Sequence, residues 1–137
     1  MSLVVDPSAI LGLVLDGEAA DFGDLVLEKI ERDGACAPSI FWYEIRNVLV
    51  VNERRRRITP EKTAVFLAAL QDLPIEIDAH PSELSVLQLA RAQGLTVYDA
   101  AYLDLASRRG VALATLDNKL RTAAQNVSVQ LFPGKHS

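Results

Sequence analysis

Leu3-Val4-Val5-Asp6-Pro7-Ser8 is the stretch on which the fold turns. Residues 2–6 read as a buried strand, an apolar run that ends on an acid. Pro7 then takes the first helical position, where its missing N–H costs nothing. Asp6 is thus a strand end and a helix cap at once. Farther along, residues 111–115 form an apolar run, Asp117 follows it, and residues 118–125 read as a short helix. Between these two units the chain alternates. Asp16-Gly17 predicts a turn, and residues 18–33 a helix with Phe22, Leu25, Val26 and Ile30 near one face. A short strand at 35–37 leads through Pro38-Ser39 into a long helix reaching about Arg56. Thr59-Pro60 opens another helix, with Val65, Phe66, Ala69 and Leu70 at helical spacing. A strand at 74–78 and a helix at 81–93 closed by Gly94 come next. The helix at 98–109 is closed by Gly110, and residues 127–131 read as a fifth strand.

Strands alternating with helices predict an α/β fold, with a central parallel five-stranded sheet flanked by helices on both faces. The chain has 137 residues, which suits one domain over residues 1–132 with a tail at 133–137. Ligand sites in open parallel sheets form outside the carboxyl ends of the strands. Asp6 and Asp117 both fall on that edge.

Half the residues are hydrophobic and 23% are charged, the balance of a globular protein. No apolar run approaches the roughly 20 residues that cross a bilayer, and no leader pattern opens the chain. One cysteine, Cys36, excludes an internal disulfide and fits a reducing cytoplasm as a small buried hydrophobe. The formal net charge of −4 argues against a generally basic coat for nucleic acid. The basic charge is concentrated instead in Arg54-Arg55-Arg56-Arg57, with Arg108-Arg109 and Arg121 as smaller points. The four-arginine run reads either as a solvated helix end that complements the dipole or as a phosphate-contacting rim.

Four acids stand out: Asp6, Glu44, Asp99 and Asp117. Helix capping or dipole charge accounts for Asp6, Asp99 and Asp117 one at a time. Glu44 is harder to place. It lies within Ile40-Phe41-Trp42-Tyr43-Glu44-Ile45 and shares a helix face with Ile40, Phe41, Val48 and Val51. A carboxylate on a buried face needs a cation, a remote basic group or a proton. Carboxylates gathered on one sheet edge repel unless they hold a cation or share a proton. A divalent-metal site is the sharpest reading, beside helix caps and a protonated Glu44, and all-oxygen ligation points to Mg²⁺ or Mn²⁺. Asp104 lies five residues past Asp99, about 140° around the helix, and reads as solvated surface. Glu76 and Asp78 show no partner pattern in the sequence. With one cysteine and two histidines, His80 and His136, zinc on nitrogen and sulfur ligands is not expected. Neither a Gly-x-x-x-x-Gly-Lys loop nor a Gly-x-Gly-x-x-Gly turn is present.

Four pieces in this order resemble PIN-domain proteins, specifically the VapC-type toxins of toxin–antitoxin pairs. They are Val4-Val5-Asp6-Pro7-Ser8, Tyr43-Glu44-Ile45-Arg46-Asn47-Val48-Leu49, Leu95-Thr96-Val97-Tyr98-Asp99-Ala100-Ala101-Tyr102-Leu103 and Leu113-Ala114-Thr115-Leu116-Asp117-Asn118-Lys119-Leu120. The resemblance runs from about Leu3 to Leu131. It implies a metal-dependent endoribonuclease whose four acids fall on Asp6, Glu44, Asp99 and Asp117, with Asp6 and Asp99 as direct Mg²⁺ or Mn²⁺ ligands. Ser8, Asn47 and Thr115 are implied as polar neighbours that steady carboxylates and water. Arg46 and Arg54, Arg55, Arg56 and Arg57 are candidates for RNA contact. The resemblance also implies an RNA substrate, a cognate antitoxin protein with Trp42 and Phe41 as candidate groove residues, and a homodimer or a higher toxin–antitoxin assembly, cytoplasmic and away from membranes. Two other readings stay open: a nuclease acting on DNA or structured nucleic acid, and a non-catalytic protein-binding module in which the acids only cap helices.

Overall fold

A computed structural model describes residues 2–15 and 19–134. The expected turn at Asp16-Gly17, and His136, lie outside the described residues. Four strands form one sheet: β1 (Leu3–Val5), β2 (Ala35–Pro38), β3 (Ile75–Asp78) and β4 (Ala112–Ala114). The order is β3-β2-β1-β4 and every pairing is parallel. Val4 sits opposite Cys36 on one side and Leu113 on the other. β1 is therefore central, and Leu3, Val4 and Val5 are all fully buried. Near-continuous apolar runs such as this mark strands covered on both faces.

Seven α-helices accompany the sheet among the described residues: α1 (Pro7–Ile10), α2 (Ala19–Asp33), α3 (Phe41–Arg54), α4 (Pro60–Gln71), α5 (Glu83–Gln93), α6 (Val97–Arg109) and α7 (Asn118–Asn126). Their ends follow side-chain chemistry. Asp6, Thr59, Thr96 and Asp117 cap α1, α4, α6 and α7 by accepting from the amide three residues on. Gly94 and Gly110 end α5 and α6 in the left-handed conformation that glycine adopts without strain.

The expected fifth strand is corrected. Residues 127–131 make one parallel bridge, Leu113 to Leu131, with Leu113 N donating to Gln130 O and Phe132 N donating to Leu113 O. The physical cause is visible at its start. Val127 N and Ser128 N still bond back to α7 carbonyls, and Ser128 has φ 59, so the segment leaves the helix too late to run extended. The helical faces are also narrower than their spacing suggests. Val26 and Ile30 of α2 are fully buried, whereas Leu25 is 47% exposed. On α4, Phe66 is buried and Val65 is 71% exposed.

A 3₁₀ turn at Leu11–Leu13 links α1 to α2. Its Gly12 lies so close to α2 that an added Cβ would stand 1.9 Å from the Ala19 carbonyl oxygen. Gly23 of α2 faces the same place, where an added Cβ would stand 3.2 Å from the Gly12 backbone. Two glycines thus let two backbones touch beneath the first helix.

Asp6 at the end of β1 and Asp117 after β4 flank the boundary where strand order reverses. Chain order runs from β1 outward through β2 to β3 on one side, while β4 returns to the other side of β1. Reversals of this kind open a crevice at the carboxyl edge.

Candidate active site

Asp6 is 6% exposed and three groups hold its carboxylate. Oδ1 accepts from the Ala9 amide at 3.1 Å and from Ser8 Oγ at 2.6 Å. Oδ2 accepts from Thr115 Oγ1. The two hydroxyls also tie the strand ends together. Ser8 Oγ accepts from the Leu116 amide at 2.8 Å, and Thr115 Oγ1 from the Asp117 amide at 3.0 Å. Ser8 and Thr115 therefore orient Asp6 and seam β1 to β4, 107 residues apart in the chain. Asn47 is exposed, less than one helical turn past Glu44.

Asp117 caps α7, its Oδ1 accepting from Leu120 N at 3.0 Å. Asp99 does not begin α6. Thr96 caps that helix and accepts from the Asp99 amide at 3.0 Å, so Asp99 is the third helical residue. Its carboxylate is half-buried and is not spent on the cap.

Glu44 lies on the flank of α3, half-buried, because the face that sinks into the core carries Phe41, Ile45, Leu49 and Asn52. This differs from the sequence expectation, which centred the buried face on Glu44 itself. Its partner is Tyr102, whose Oη donates to Glu44 Oε1 at 2.6 Å. Tyr102 is 1% exposed and was missed as a site residue. Its one available signal is its position on α6, three residues after Asp99, which puts both on one side of the helix.

The electrostatics link these acids. Burial, with a contribution from the Asp117 charge, pushes the Asp6 carboxyl up to about 6, against hydrogen bonds from Ser8, Thr115 and Ala9 that pull it down. Burial raises Asp99 too, followed by the charge of Asp117, while the Thr96 hydroxyl and the Lys119 charge oppose the rise. Glu44 is raised by burial and by the Asp99 charge, against the hydrogen bond from Tyr102. Asp6 and Asp99 each feel the Asp117 charge and Glu44 feels that of Asp99, which links the four electrostatically.

Those shifts have a defined sign. A carboxyl raised on folding adds stability while it is protonated. Asp6's contribution is complete below about pH 4 and is lost as pH rises through about 6. Asp99 and Glu44 act in the same direction. The ion-paired Asp33, Glu76 and Asp78 are lowered, so their stabilisation is lost only below the ordinary carboxylate range. In EDTA, stability is therefore expected to fall by on the order of 2 kcal/mol between pH 4 and pH 7. Denaturant titrations across that range check it. A flat profile would show that the acids do not share a desolvated site.

Several other sequence expectations change here. Asp104 is 2% exposed, not solvated, and Arg108 Nε donates to it at 2.8 Å. Arg108 also donates to Asp78 at 2.8 Å, and Arg109 makes a two-pronged contact with Glu76 at 3.2 Å. The Arg108-Arg109 pair is thus engaged in ion pairs between α6 and β3. Arg46 stacks over the Trp42 ring at 3.7 Å and donates to the Trp42 carbonyl. The Arg54–Arg57 block is exposed at the far end of α3, ten residues and about 15 Å along the axis from Glu44.

Among the described residues, no three His, Cys, Asp or Glu side chains converge tightly enough to enclose an ion by themselves. The donor chemistry nevertheless suits a hard divalent cation. Mg²⁺ keeps several waters and takes only one or two protein carboxylates directly. A cation would also offset the burial, and the smaller charge repulsion, that raise Asp6, Asp99 and Glu44.

Comparisons with known proteins bear on the family and the fold. Ribonuclease VapC3 of Pyrobaculum aerophilum is 32% identical over 124 residues, covering 88% of this chain and 92% of that protein. The crystal structure of PAE2754 from the same organism superposes with a TM-score of 0.67 at 27% identity, covering 90% of this chain and 86% of that one. FitAcB from Neisseria gonorrhoeae shares the fold, with a TM-score of 0.66 at 17% identity, covering 95% of this chain and 96% of that one. The PIN domain family matches residues 3–126, from the first strand to the end of α7, and this chain belongs to it.

Proposed function

We propose that this protein is a divalent-metal-dependent endoribonuclease, the toxin of a toxin–antitoxin pair, built as one PIN nuclease unit over residues 1–132 with a short tail at 133–137. The observation that carries the reading is the placement of Asp6 and Asp117 at the carboxyl ends of β1 and β4, seamed by Ser8 and Thr115, with the Asp117 charge felt at Asp6 and Asp99 and the Asp99 charge felt at Glu44. Similarity to a protein named as a ribonuclease supports RNA as the substrate.

Asp6 and Asp99 would hold Mg²⁺ or Mn²⁺ directly, and Glu44 and Asp117 would complete the site directly or through water. Such a cation supplies a water of lowered pKa and offsets charge on the scissile phosphate. The chain's own groups do the rest. Ser8 and Thr115 fix both oxygens of Asp6. Tyr102 fixes Glu44. Asp117 is held by the cap it makes on α7.

A protein partner also has surfaces to meet. Trp42 and Ile77, 52% and 45% exposed, line a cleft of about 290 Å³ with Arg46 and Leu67. Phe41 lines the same cleft but is buried, which fits core packing better than groove contact. Between α2 and α4, Leu27, Val65, Phe66 and Leu70 line an apolar groove of about 430 Å³. The antitoxin and the homodimer belong to this proposal. No helix among the described residues is long and apolar enough to cross a membrane, and a cytoplasmic location is part of the same reading.

The test uses labelled single-stranded RNA, single-stranded DNA and a structured flap, each with millimolar Mn²⁺ or EDTA. RNA cleavage in Mn²⁺ alone is expected. Preferential DNA or flap cleavage would move the substrate class. No cleavage, with a melting temperature indifferent to Mn²⁺, would leave the acids as caps, because only a bound ligand raises stability by mass action.

A further inference from the structure

An acidic crevice that acts on a polyanion has to offset repulsion at its mouth. The arginine-rich stretches of this chain are poorly placed to do so. Arg54–Arg57 stand at the opposite end of α3 from Glu44. Arg108 and Arg109 are committed to Asp104, Asp78 and Glu76. Arg46 lies across the Trp42 ring.

Two other basic residues belong to the first turn and a half of α7, directly after Asp117. Arg121 reaches back along the helix, and its Nη1 donates to the Thr115 carbonyl at 3.1 Å. Thr115 is the residue whose hydroxyl holds Asp6. Arg121 thus braces the seam between β4 and the site. Lys119 has no such bond to the backbone and its side chain is exposed. It stands two residues past Asp117, on the exposed first turn of the helix that Asp117 caps, and its charge opposes that of Asp117 at Asp99.

We propose that Lys119 is the side chain that draws the scissile phosphodiester of single-stranded RNA onto the carboxylate cluster, contacting a phosphate oxygen while Arg121 holds the α7 entry in place. This deepens the ribonuclease reading and rests on it. An exposed ammonium on a flexible stem suits the task, since it follows a moving phosphate as a point charge and carries its charge at neutral pH. In the absence of RNA the same charge steadies Asp99.

Lys119→Gln and Lys119→Arg separate charge from structure. The position is exposed, so both variants are expected to fold and to keep the Mn²⁺-dependent rise in melting temperature. With wild-type protein cleaving a labelled single-stranded RNA in Mn²⁺, Lys119→Gln is expected to raise KM roughly tenfold, as loss of a charge-assisted contact does, with a smaller effect on kcat. The salt slope of RNA binding should fall by about 0.7. Lys119→Arg should recover most of KM and the slope. Unchanged KM and salt slope in Lys119→Gln, beside an active wild type, overturn the inference alone. A wild type that cleaves no RNA overturns the ribonuclease reading and this inference together.

Discussion

Asp99→Asn is expected to lower RNA cleavage by about 100-fold or more and to abolish the Mn²⁺-dependent rise in melting temperature, with the fold intact. The structure supplies the reason for each part. Thr96, not Asp99, caps α6, so the helix start does not depend on the Asp99 carboxylate. Asparagine keeps the size and removes the charge. The Asp99 charge also raises Glu44, so its loss should bring Glu44 nearer its ordinary range. Single-turnover cleavage, with melts in EDTA and in Mn²⁺, measures the three effects. Wild-type cleavage by Asp99→Asn would remove this residue from the proposed metal site. Asp6→Asn is expected to lose activity as well, but it is a poorer probe. Asp6 also accepts from Ala9, Ser8 and Thr115, so its replacement perturbs the seam between β1 and β4.

Gly12→Ala is expected to destabilise the fold by about 3 kcal/mol or more, the upper range for forced overpacking. A Cβ at Gly12 would stand 1.9 Å from a backbone oxygen of Ala19, and a backbone atom cannot swing aside as a side chain can. The start of α2 must move away from the 3₁₀ turn. Gly23→Ala meets backbone at 3.2 Å and is expected to cost less. Gly94→Ala serves as a contrast. Nothing lies within 4 Å of its Cβ, and its cost comes only from a left-handed φ of 63. Urea midpoints of the three variants check the order. A Gly12→Ala midpoint equal to wild type would mean that the 3₁₀ turn and α2 do not need to touch.

Part of this architecture is legible in the residues because it rests on local chemistry. Asp6-Pro7 announces a capped helix, and the structure has that cap. Thr59-Pro60 does the same for α4, and Gly94 and Gly110 stop their helices as their sequence positions suggest. Cys36, read as a small buried hydrophobe, is 1% exposed. Such signals need only neighbours within a turn. The failures lie where a neighbour comes from far along the chain. Residues 127–131 have a strand's composition, but the backbone leaves α7 with Ser128 at positive φ and pairs only through Leu131. Asp104 resembles surface until Arg108 and the buried side of α6 are considered together. Glu44 calls for a partner, and no local rule points to Tyr102, 58 residues away.

The order of strands, helices and caps, and the presence of unexplained acids at strand ends, are thus properties of the chain. They follow from periodicity, proline, glycine and capping side chains that act within a few residues. Which acids meet depends on sheet order, because β4 returns beside β1, Thr115 donates to Asp6 across 109 residues of chain, and Asp117 follows on the same edge. The same return sets the start of α7, with Lys119 two residues past Asp117, at the carboxyl edge of the sheet, whereas the conspicuous arginine run lies at the far end of α3. Charge acts through space, and composition along the chain does not say which charges become neighbours.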